Sequence, residues 1–197
     1  MWTTVFALFA LTAAATPPRV GPPPPRSGVS AGRSVQPPGT MLECGTVDGE
    51  VPDFTLVDVS PGSPTHGESV DRPAFPGRVL VLYFALPTCG HCQAQVQQLQ
   101  SMWTGNEDRW AGQAALQIIA LAAGESGLPD LTEGLTLPVL QDTSDASVTE
   151  QYGAEKWYLY LIDRSGRVRH IHYRFDLTNT SGRLVAEIDA LIAEEAP

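Results

Sequence analysis

Residues 78–95 read RVLVLYFALPTCGHCQAQ, an apolar run that passes directly into a Cys-x-x-Cys pair. A near-continuous apolar run is typical of a β-strand that is covered on both faces. After the pair, apolar residues recur at spacings of four, three and four, which places them on one face of a helix. These residues are Cys92, Val96, Leu99 and Trp103. The stretch therefore predicts a buried strand leading to Cys89 and a helix that begins at about Gly90.

The rest of the folded sequence alternates strands with helices. Strands are predicted from DFTLVDVS, with Phe54, Leu56 and Val57 as inward residues, and from LQIIALAA, LPVLQD, WYLYLID and RVRHIHY. Helices are predicted from SDASVTEQYG, with Asp145 near its start, and from the C-terminal segment. The inward residues of that last helix are Leu184, Ile188, Leu191 and Ile192. This alternation predicts an α/β domain with a partly parallel sheet.

Charge is distributed unevenly along the 197 residues. The chain has 12 Lys and Arg against 22 Asp and Glu, a formal net charge of −10. Three of the arginines and none of the acidic residues lie in residues 1–40, so the remainder carries a formal charge of −13. Such a surface repels phosphate groups. We therefore expect no nucleic acid partner and no binding to anionic membranes.

The first 50 residues differ from the rest in composition. Residues 1–15 end in an apolar run with small residues at its close, which fits a signal peptide, although no Lys or Arg precedes the run. Residues 16–50 are rich in Pro and Gly and predict a disordered linker, and residues 51–197 are predicted to fold. We expect export to the bacterial periplasm or cell envelope. Translation from Met41 would instead leave the protein in the cytoplasm.

The two cysteines of the pair are predicted to differ in reactivity. At a helix N-terminus the free N–H groups and the helix dipole favour an anion, so Cys89 is expected to be accessible and acidic. Cys92 lies one turn further, on the helix face that points to the core. Disulfide exchange needs this division between an attacking and a resolving thiol. A protonated His91 would stabilise the Cys89 thiolate and make the site more oxidising than a thioredoxin.

Other uses of a Cys-x-x-Cys pair are open at this point. A structural zinc site takes four ligands, and only Cys44 is left to complement the pair. A structural disulfide across two intervening residues would constrain the unfolded chain little. A soft metal such as copper, held by both thiolates and a histidine, is a further alternative.

Three stretches carry a family resemblance: VLVLYFALPTCGHC, IIALAAGESG and LPVLQDTSDASVTEQYGAEKWYLYLIDRSGRV. They resemble thioredoxin-like proteins of the TlpA/redoxin type, over about residues 51–195. The Cys-Gly-His-Cys tetrad itself is similar to that of protein disulfide isomerases. The resemblance implies a thioredoxin-like fold, with a central mixed β-sheet flanked by helices. It also implies an exported bacterial thiol–disulfide oxidoreductase; some members of this group serve cytochrome c maturation.

The resemblance assigns roles to individual residues. Cys89 is implied to be the nucleophile and Cys92 the resolving cysteine. Glu125 matches an acidic residue that some members keep near the cysteines as a proton donor or acceptor. The alternative for Glu125 is a solvated carboxylate on a loop.

Two positions depart from the family pattern. An aromatic residue usually precedes the first cysteine, where this chain has Thr88, and a cis-proline usually faces the cysteines, where it has Trp157. Proline is absent from residues 139–196, so the Lys156–Trp157 bond is expected to be trans. Thr88, Lys156 and Trp157 are predicted to form a substrate surface with weakened general peptide binding and room for a specific partner or a metal. The alternative is a Trp157 packed in the core.

The leading hypothesis is an enzyme, a thiol–disulfide oxidoreductase that exchanges disulfides with exported protein thiols through Cys89 and Cys92. We expect a monomer without a cofactor or stable membrane insertion, which works with a membrane or soluble redox partner. The alternatives are a copper or cytochrome-assembly metallochaperone, a peroxiredoxin-like peroxidase, and a non-catalytic binding domain. Leu86 disfavours the peroxidase, because that class has Thr three residues before its cysteine. His170 and His172 share one strand face and could form half of a metal site.

Overall fold

The structure is a computed structural model that describes residues 47–194. These residues form one seven-stranded β-sheet with helices on both of its faces. The strands are β1 (Thr55–Asp58), β2 (Ser69–Asp71), β3 (Val79–Ala85), β4 (Ala114–Ala120), β5 (Val139–Gln141), β6 (Leu159–Ile162) and β7 (Val168–His172). The helices are α1 (Gly90–Thr104), α2 (Glu107–Trp110), α3 (Leu128–Thr132), α4 (Val148–Gln151) and α5 (Leu177–Ala193).

The strand order across the sheet is β2-β1-β5-β4-β3-β6-β7. The central strands β3, β4 and β5 run parallel. The outer strands are antiparallel to their neighbours. Parallel neighbours need a long crossover, whereas antiparallel neighbours can be joined by a short turn, and the chain uses both kinds of connection. The topology confirms the predicted α/β fold with a central mixed sheet flanked by helices.

The centre of the sheet is buried on both faces. Every residue of β3 and β4 is buried, which explains why both strands read as near-continuous apolar runs. Alternate side chains divide the core into two clusters. One cluster lies between the sheet and α1, α2, α3 and α5, and the other includes residues of α4 and of the segment before β1. Tyr83 and Cys92 belong to the first cluster, so this half of the core supports the helix that carries the cysteines.

Two strands differ in detail from the prediction. In β1 the inward residues are Leu56 and Asp58, and Val57 is 46% exposed because alternation turns it away from Leu56; the inward assignment of Val57 was wrong. The strand predicted from Trp157 begins at Leu159. Trp157 has a φ of 74°, in the left-handed region, and cannot continue a strand.

The two long helices keep their predicted faces. In α1, Cys92, Val96 and Leu99 are buried and Trp103 is partly buried against the same cluster. In α5 the inward residues are buried, with the last of them partly buried: Leu184, Ile188, Leu191 and Ile192. The period of the apolar residues was therefore sufficient to identify both buried faces.

The predicted signal peptide, Cys44 and most of the predicted linker lie outside the described residues. The last residues of the predicted linker pair with the domain: Asp48 donates its N–H to the carbonyl of Val168 at 2.7 Å, and Glu50 forms a β-bridge with Arg167. No helix within residues 47–194 is long and apolar enough to cross a membrane.

Candidate active site

The loop after β3 places Cys89 at the start of α1. Cys89 is the N-cap residue, with extended φ and ψ of −95° and 106°, and its sulfur accepts the N–H of Cys92 at 3.4 Å. The Cys89 N–H donates to the carbonyl of Leu86 at 3.0 Å. Gln93 donates its side-chain amide to the carbonyl of Pro87 at 2.8 Å, which fixes the loop against the helix. The helix begins at Gly90, as predicted from the sequence.

The two thiols have opposite environments. Both are free; Cys89 is partly exposed and Cys92 is fully buried. Partial burial alone would raise the pKa of Cys89, but hydrogen bonds from the Cys92 thiol and N–H, the nearby Trp157 indole and the His91 N–H outweigh it, so the pKa is lowered. Burial, the hydrogen bond to Cys89 and the negative charge there raise the pKa of Cys92 to about 12. The pair can therefore supply one thiolate and one thiol at neutral pH.

Trp157 lies beside this pair in an unusual backbone conformation. Its N–H donates to the carbonyl of Phe84 at 2.9 Å, and its carbonyl accepts the N–H of Phe175 at 3.1 Å. Its φ of 74° is rare for a bulky residue. Among residues 47–194 no peptide bond is cis, so the bond between Lys156 and Trp157 is trans. The Trp157 ring packs against the core cluster that contains Cys92.

The side chains around Trp157 bring several predicted site residues together. The His91 ring meets the indole edge-on, with centroids 5.5 Å apart and planes at 90°. The Lys156 ammonium lies 4.7 Å from the indole centroid, a cation–π geometry. Thr88 is exposed in the loop before Cys89. The structure thus gathers His91, Lys156 and Trp157 at the cysteine pair, with Thr88 at the edge of the group.

Glu125 lies on a neighbouring turn but does not reach the cysteines by any hydrogen bond. It is exposed, and its carboxylate forms no hydrogen bond or ion pair with any residue that the structure describes. The turn itself packs tightly on the cysteine loop, because a Cβ at Gly127 would lie 2.5 Å from the carbonyl carbon of Pro87. The backbone of this turn supports the loop, while the role of the carboxylate stays a prediction.

Tyr83 is a residue near the pair that the sequence analysis missed. It projects from β3 into the cluster that contains Cys92 and is fully buried. Burial, followed by the negative charges on Cys92 and Cys89, raises the pKa of Tyr83 far above its ordinary value. The signal was available: Tyr83 carries the only hydroxyl in the strand that leads to the cysteines. Strand alternation places it on the same face as Val81 and Ala85.

His170 and His172 share a face of β7, as predicted. Their rings lie 6.2 Å apart and nearly parallel. His172 Nε2 is 2.7 Å from a carboxylate oxygen of Glu187, whose other oxygen accepts from Arg183 at 2.8 Å. In the described part of the chain, no group of three or more His, Cys, Asp and Glu side chains is arranged to hold a metal ion. His172 is thus hydrogen-bonded to Glu187, which also pairs with Arg183.

Comparisons with known proteins agree with this architecture. The model of the Redoxin family matches residues 46–191, most of the chain. Among solved structures, a candidate protein disulfide isomerase of Bacteroides thetaiotaomicron is 22% identical, with a TM-score of 0.62 over 76% of this chain and 91% of that one. A candidate thiol:disulfide interchange protein DsbE of Chlorobium tepidum is 20% identical, with a TM-score of 0.61 over 75% and 99%.

A third solved structure is a secreted disulfide oxidoreductase of Mycobacterium tuberculosis, 20% identical, with a TM-score of 0.53 over 68% of this chain and 95% of that one. No curated protein matches the chain. The structural likeness confirms the predicted thioredoxin-like fold. The family match confirms the prediction of an oxidoreductase.

Proposed function

We propose that this chain, which belongs to the Redoxin family, is a thiol–disulfide oxidoreductase that exchanges disulfides with exported protein thiols. The observation that carries the proposal is the asymmetry of the pair. Cys89 is partly exposed at a helix N-terminus with a lowered pKa, and Cys92 is buried one turn away with a raised pKa. An exchange enzyme needs one accessible thiolate and one protected thiol.

In the reducing direction, the Cys89 thiolate attacks one sulfur of a substrate disulfide. The substrate S–S bond breaks, a mixed disulfide forms, and the departing substrate sulfur leaves as a thiolate that takes up a proton. Cys92 then loses its proton and attacks the Cys89 sulfur, which releases the second substrate thiolate. Two electrons pass from the dithiol to the substrate, and the enzyme is left with a Cys89–Cys92 disulfide. The same steps in the reverse order oxidise a substrate dithiol.

The raised pKa of Cys92 orders these two steps. While Cys89 is a thiolate, its negative charge and its hydrogen bond keep the proton on Cys92. Formation of the mixed disulfide removes that charge. Cys92 can then ionise more readily, so the resolving attack follows substrate binding instead of preceding it.

The exposed and half-buried side chains at the pair form the proposed substrate surface. Thr88, Lys156 and Trp157 line it, and His91 lies against the Trp157 ring. Lys156 brings a positive charge to the site of a protein with a net charge of −10. Glu125, on the adjoining turn, is proposed as a proton donor or acceptor for the cysteine pair.

Trapping of a mixed disulfide tests the proposal. In Cys92→Ser the second step cannot occur, so we expect a stable Cys89 adduct with substrate protein, detected by non-reducing gel and mass spectrometry. Cys89→Ser is the matched control and should trap nothing. If neither variant forms an adduct and the wild-type dithiol does not equilibrate with glutathione, the proposal fails. Stoichiometric uptake of Cu(I) that depends on both cysteines, without exchange, would favour a metallochaperone.

Export is proposed separately, on the composition of residues 1–40 and on the secreted structural relative from Mycobacterium tuberculosis. Export would place the pair in a compartment where disulfides persist and where it would need a redox partner. The intact mass of the protein from its native host decides the question. A chain that starts near Thr16 supports export, and one that starts at Met41 contradicts it.

A further inference from the structure

Two buried hydrogen-bond donors near the cysteine pair have no acceptor. Within the described residues, the Trp157 Nε1–H and the Tyr83 hydroxyl are inaccessible to solvent and reach no acceptor at ordinary hydrogen-bonding geometry. Buried polar groups are nearly always paired, since an unpaired donor loses the hydrogen bond that water would supply. Two such donors at one site therefore call for an explanation.

The two donors approach the sulfurs from different elements. Tyr83 rises from β3 within the cluster that contains Cys92. Trp157 lies in the loop before β6, and its indole contributes to lowering the pKa of both Cys89 and Cys92. The residues are 74 positions apart in the chain, and they meet at the pair because β3 and β6 are hydrogen-bonded neighbours in the sheet.

The backbone holds Trp157 in a position that it would not adopt by itself. A φ of 74° is disfavoured for a side chain of this size, and such conformations concentrate at functional sites. Two backbone hydrogen bonds, to Phe84 and from Phe175, maintain it. The edge-on His91 ring and the Lys156 ammonium pack on the indole. The surrounding structure thus enforces a strained residue that presents an unpaired N–H beside the sulfurs.

We propose that the Trp157 indole N–H and the Tyr83 hydroxyl are preorganised donors for the cysteine thiolates, Trp157 for Cys89 and Tyr83 for Cys92. A neutral thiol or a disulfide sulfur is a weak acceptor, whereas a thiolate is a strong one. The donors therefore gain their hydrogen bonds when a thiolate forms. This inference rests on the proposed thiol–disulfide exchange and assigns the groups that stabilise its ionised states.

The two donors would act in successive steps. Trp157 stabilises the resting Cys89 thiolate, which makes the reduced form more favourable and the site more oxidising. Tyr83 acts later, when Cys92 loses its proton to attack the mixed disulfide. Tyr83 cannot serve as a base, because its own pKa is raised far above its ordinary value. It can only donate, so its contribution is to the rate of the resolving step.

Isosteric variants test this directly. Trp157→Phe and Tyr83→Phe each keep an aromatic ring and remove only the donor. For Trp157→Phe we expect the Cys89 pKa to rise by about one unit, and the glutathione equilibrium to shift about tenfold toward the disulfide. The pKa is measured by thiolate absorbance and by the alkylation rate against pH. For Tyr83→Phe we expect an unchanged Cys89 pKa and about a tenfold slower release of glutathione from a Cys89–glutathione mixed disulfide.

The matched controls are Trp103→Phe and Tyr160→Phe, which make the same changes away from the sulfurs. Tyr160 donates its hydroxyl to the carbonyl of Tyr152 at 2.8 Å, so its variant should lose stability without moving the Cys89 pKa. A folded Trp157→Phe protein with the Cys89 pKa of the wild type overturns the Trp157 assignment. A folded Tyr83→Phe protein with wild-type resolution overturns that of Tyr83.

A second measurement does not depend on the folding of the Trp157 and Tyr83 variants. In wild-type protein the indole N–H proton resonance of Trp157 should move downfield as Cys89 ionises, and it should not move in Cys89→Ser. A resonance that is insensitive to pH in both proteins overturns the Trp157 assignment. The thiol titration needs no substrate, so it distinguishes failure of this inference from failure of the proposed exchange activity.

Discussion

Two junctions join a parallel strand to a helix, β3–α1 and β5–α4. They differ in the acceptor that the N–H groups at the start of the helix find. At β5–α4 the buried carboxylate of Asp142 accepts the N–H groups of Thr143, Val148 and Thr149 at 2.8–3.0 Å, and the Thr149 hydroxyl at 2.6 Å. At β3–α1 the corresponding side-chain acceptor is the sulfur of Cys89, which lies 3.4 Å from the nitrogen of Cys92.

The difference separates a structural junction from a reactive one. The Asp142 carboxylate accepts hydrogen bonds from the surrounding donors, so those donors cannot bind a ligand or stabilise a reacting group. Its role is to stabilise the fold. At the cysteine junction the donors of Trp157 and Tyr83 have no acceptor among the described residues, so they remain available to stabilise the negative charge of a cysteine thiolate. Three predictions test this contrast, and a fourth concerns an ion pair away from both junctions; they follow in order of decreasing expected change in free energy.

Asp142→Ala is expected to have the largest effect. It would leave three backbone N–H groups without their acceptor, so we expect a loss of about 3 kcal/mol in the free energy of unfolding. The reactivity of Cys89 should not change. Denaturant unfolding measures the first quantity and alkylation against pH the second. Asp142→Asn, which keeps one oxygen acceptor, should lose less. A shifted Cys89 pKa in Asp142→Ala would show that the two junctions are coupled and would remove the contrast.

Gly127→Ala should affect stability and reaction together. Its Cβ would lie 2.5 Å from the carbonyl carbon of Pro87 and 2.7 Å from the nitrogen of Thr88, so the cysteine loop must shift. We expect a loss of about 2 kcal/mol and slower disulfide exchange. Gly182→Ala is the control, because nothing lies within 4 Å of its Cβ; as a helix residue it should gain about 0.5–1 kcal/mol. Normal exchange in Gly127→Ala would contradict the role given to the turn.

Substitution of His91 separates its ring from its backbone. Proline is tolerated in the first turn of a helix, but it removes the N–H that helps to lower the Cys89 pKa. We expect His91→Pro to raise that pKa and to shift the glutathione equilibrium about tenfold, or 1.4 kcal/mol, toward the disulfide. His91→Ala keeps the N–H and should shift it less. Equal shifts in both variants would assign the effect to the ring, and no shift in either would exclude His91.

Substitution of Glu187 is expected to have the smallest effect on stability. This residue lies in α5, away from both junctions. Burial alone would raise its pKa, but the Arg183 hydrogen bond and the interactions with His172 and His170 lower it. A lowered carboxylate pKa contributes stability above the unfolded value of about 4.3, and this is lost as pH falls through the folded value. Glu187→Gln should cost about 0.5–1 kcal/mol at pH 7 and almost nothing at pH 3. A cost that is equal at both pH values would contradict the ion pair.

Local pattern was sufficient for much of the fold. The apolar run of β3, the period of α1 and the burial of Cys92 all follow from residues within 15 positions of Cys89. The prediction was less accurate where the deciding group lies outside the pattern of the helix itself. α4 begins at Val148 and is capped by Asp142, outside the helix signal around Asp145, because a buried carboxylate five residues upstream of the N-cap reaches its first N–H groups.

The sequence by itself determined the strand, the cysteine pair, the helix and the division of the thiols into an accessible and a buried one. These depend on periodicity and on the chemistry of a helix N-terminus, which neighbouring residues encode. Only the tertiary structure decided which groups surround the sulfurs. Tyr83 and Trp157 reach the pair through the pairing of β3 with β6, and Trp157 does so in a left-handed conformation that its residue type disfavours. Such placement depends on sheet register and on hydrogen bonds from distant backbone, which no local pattern specifies.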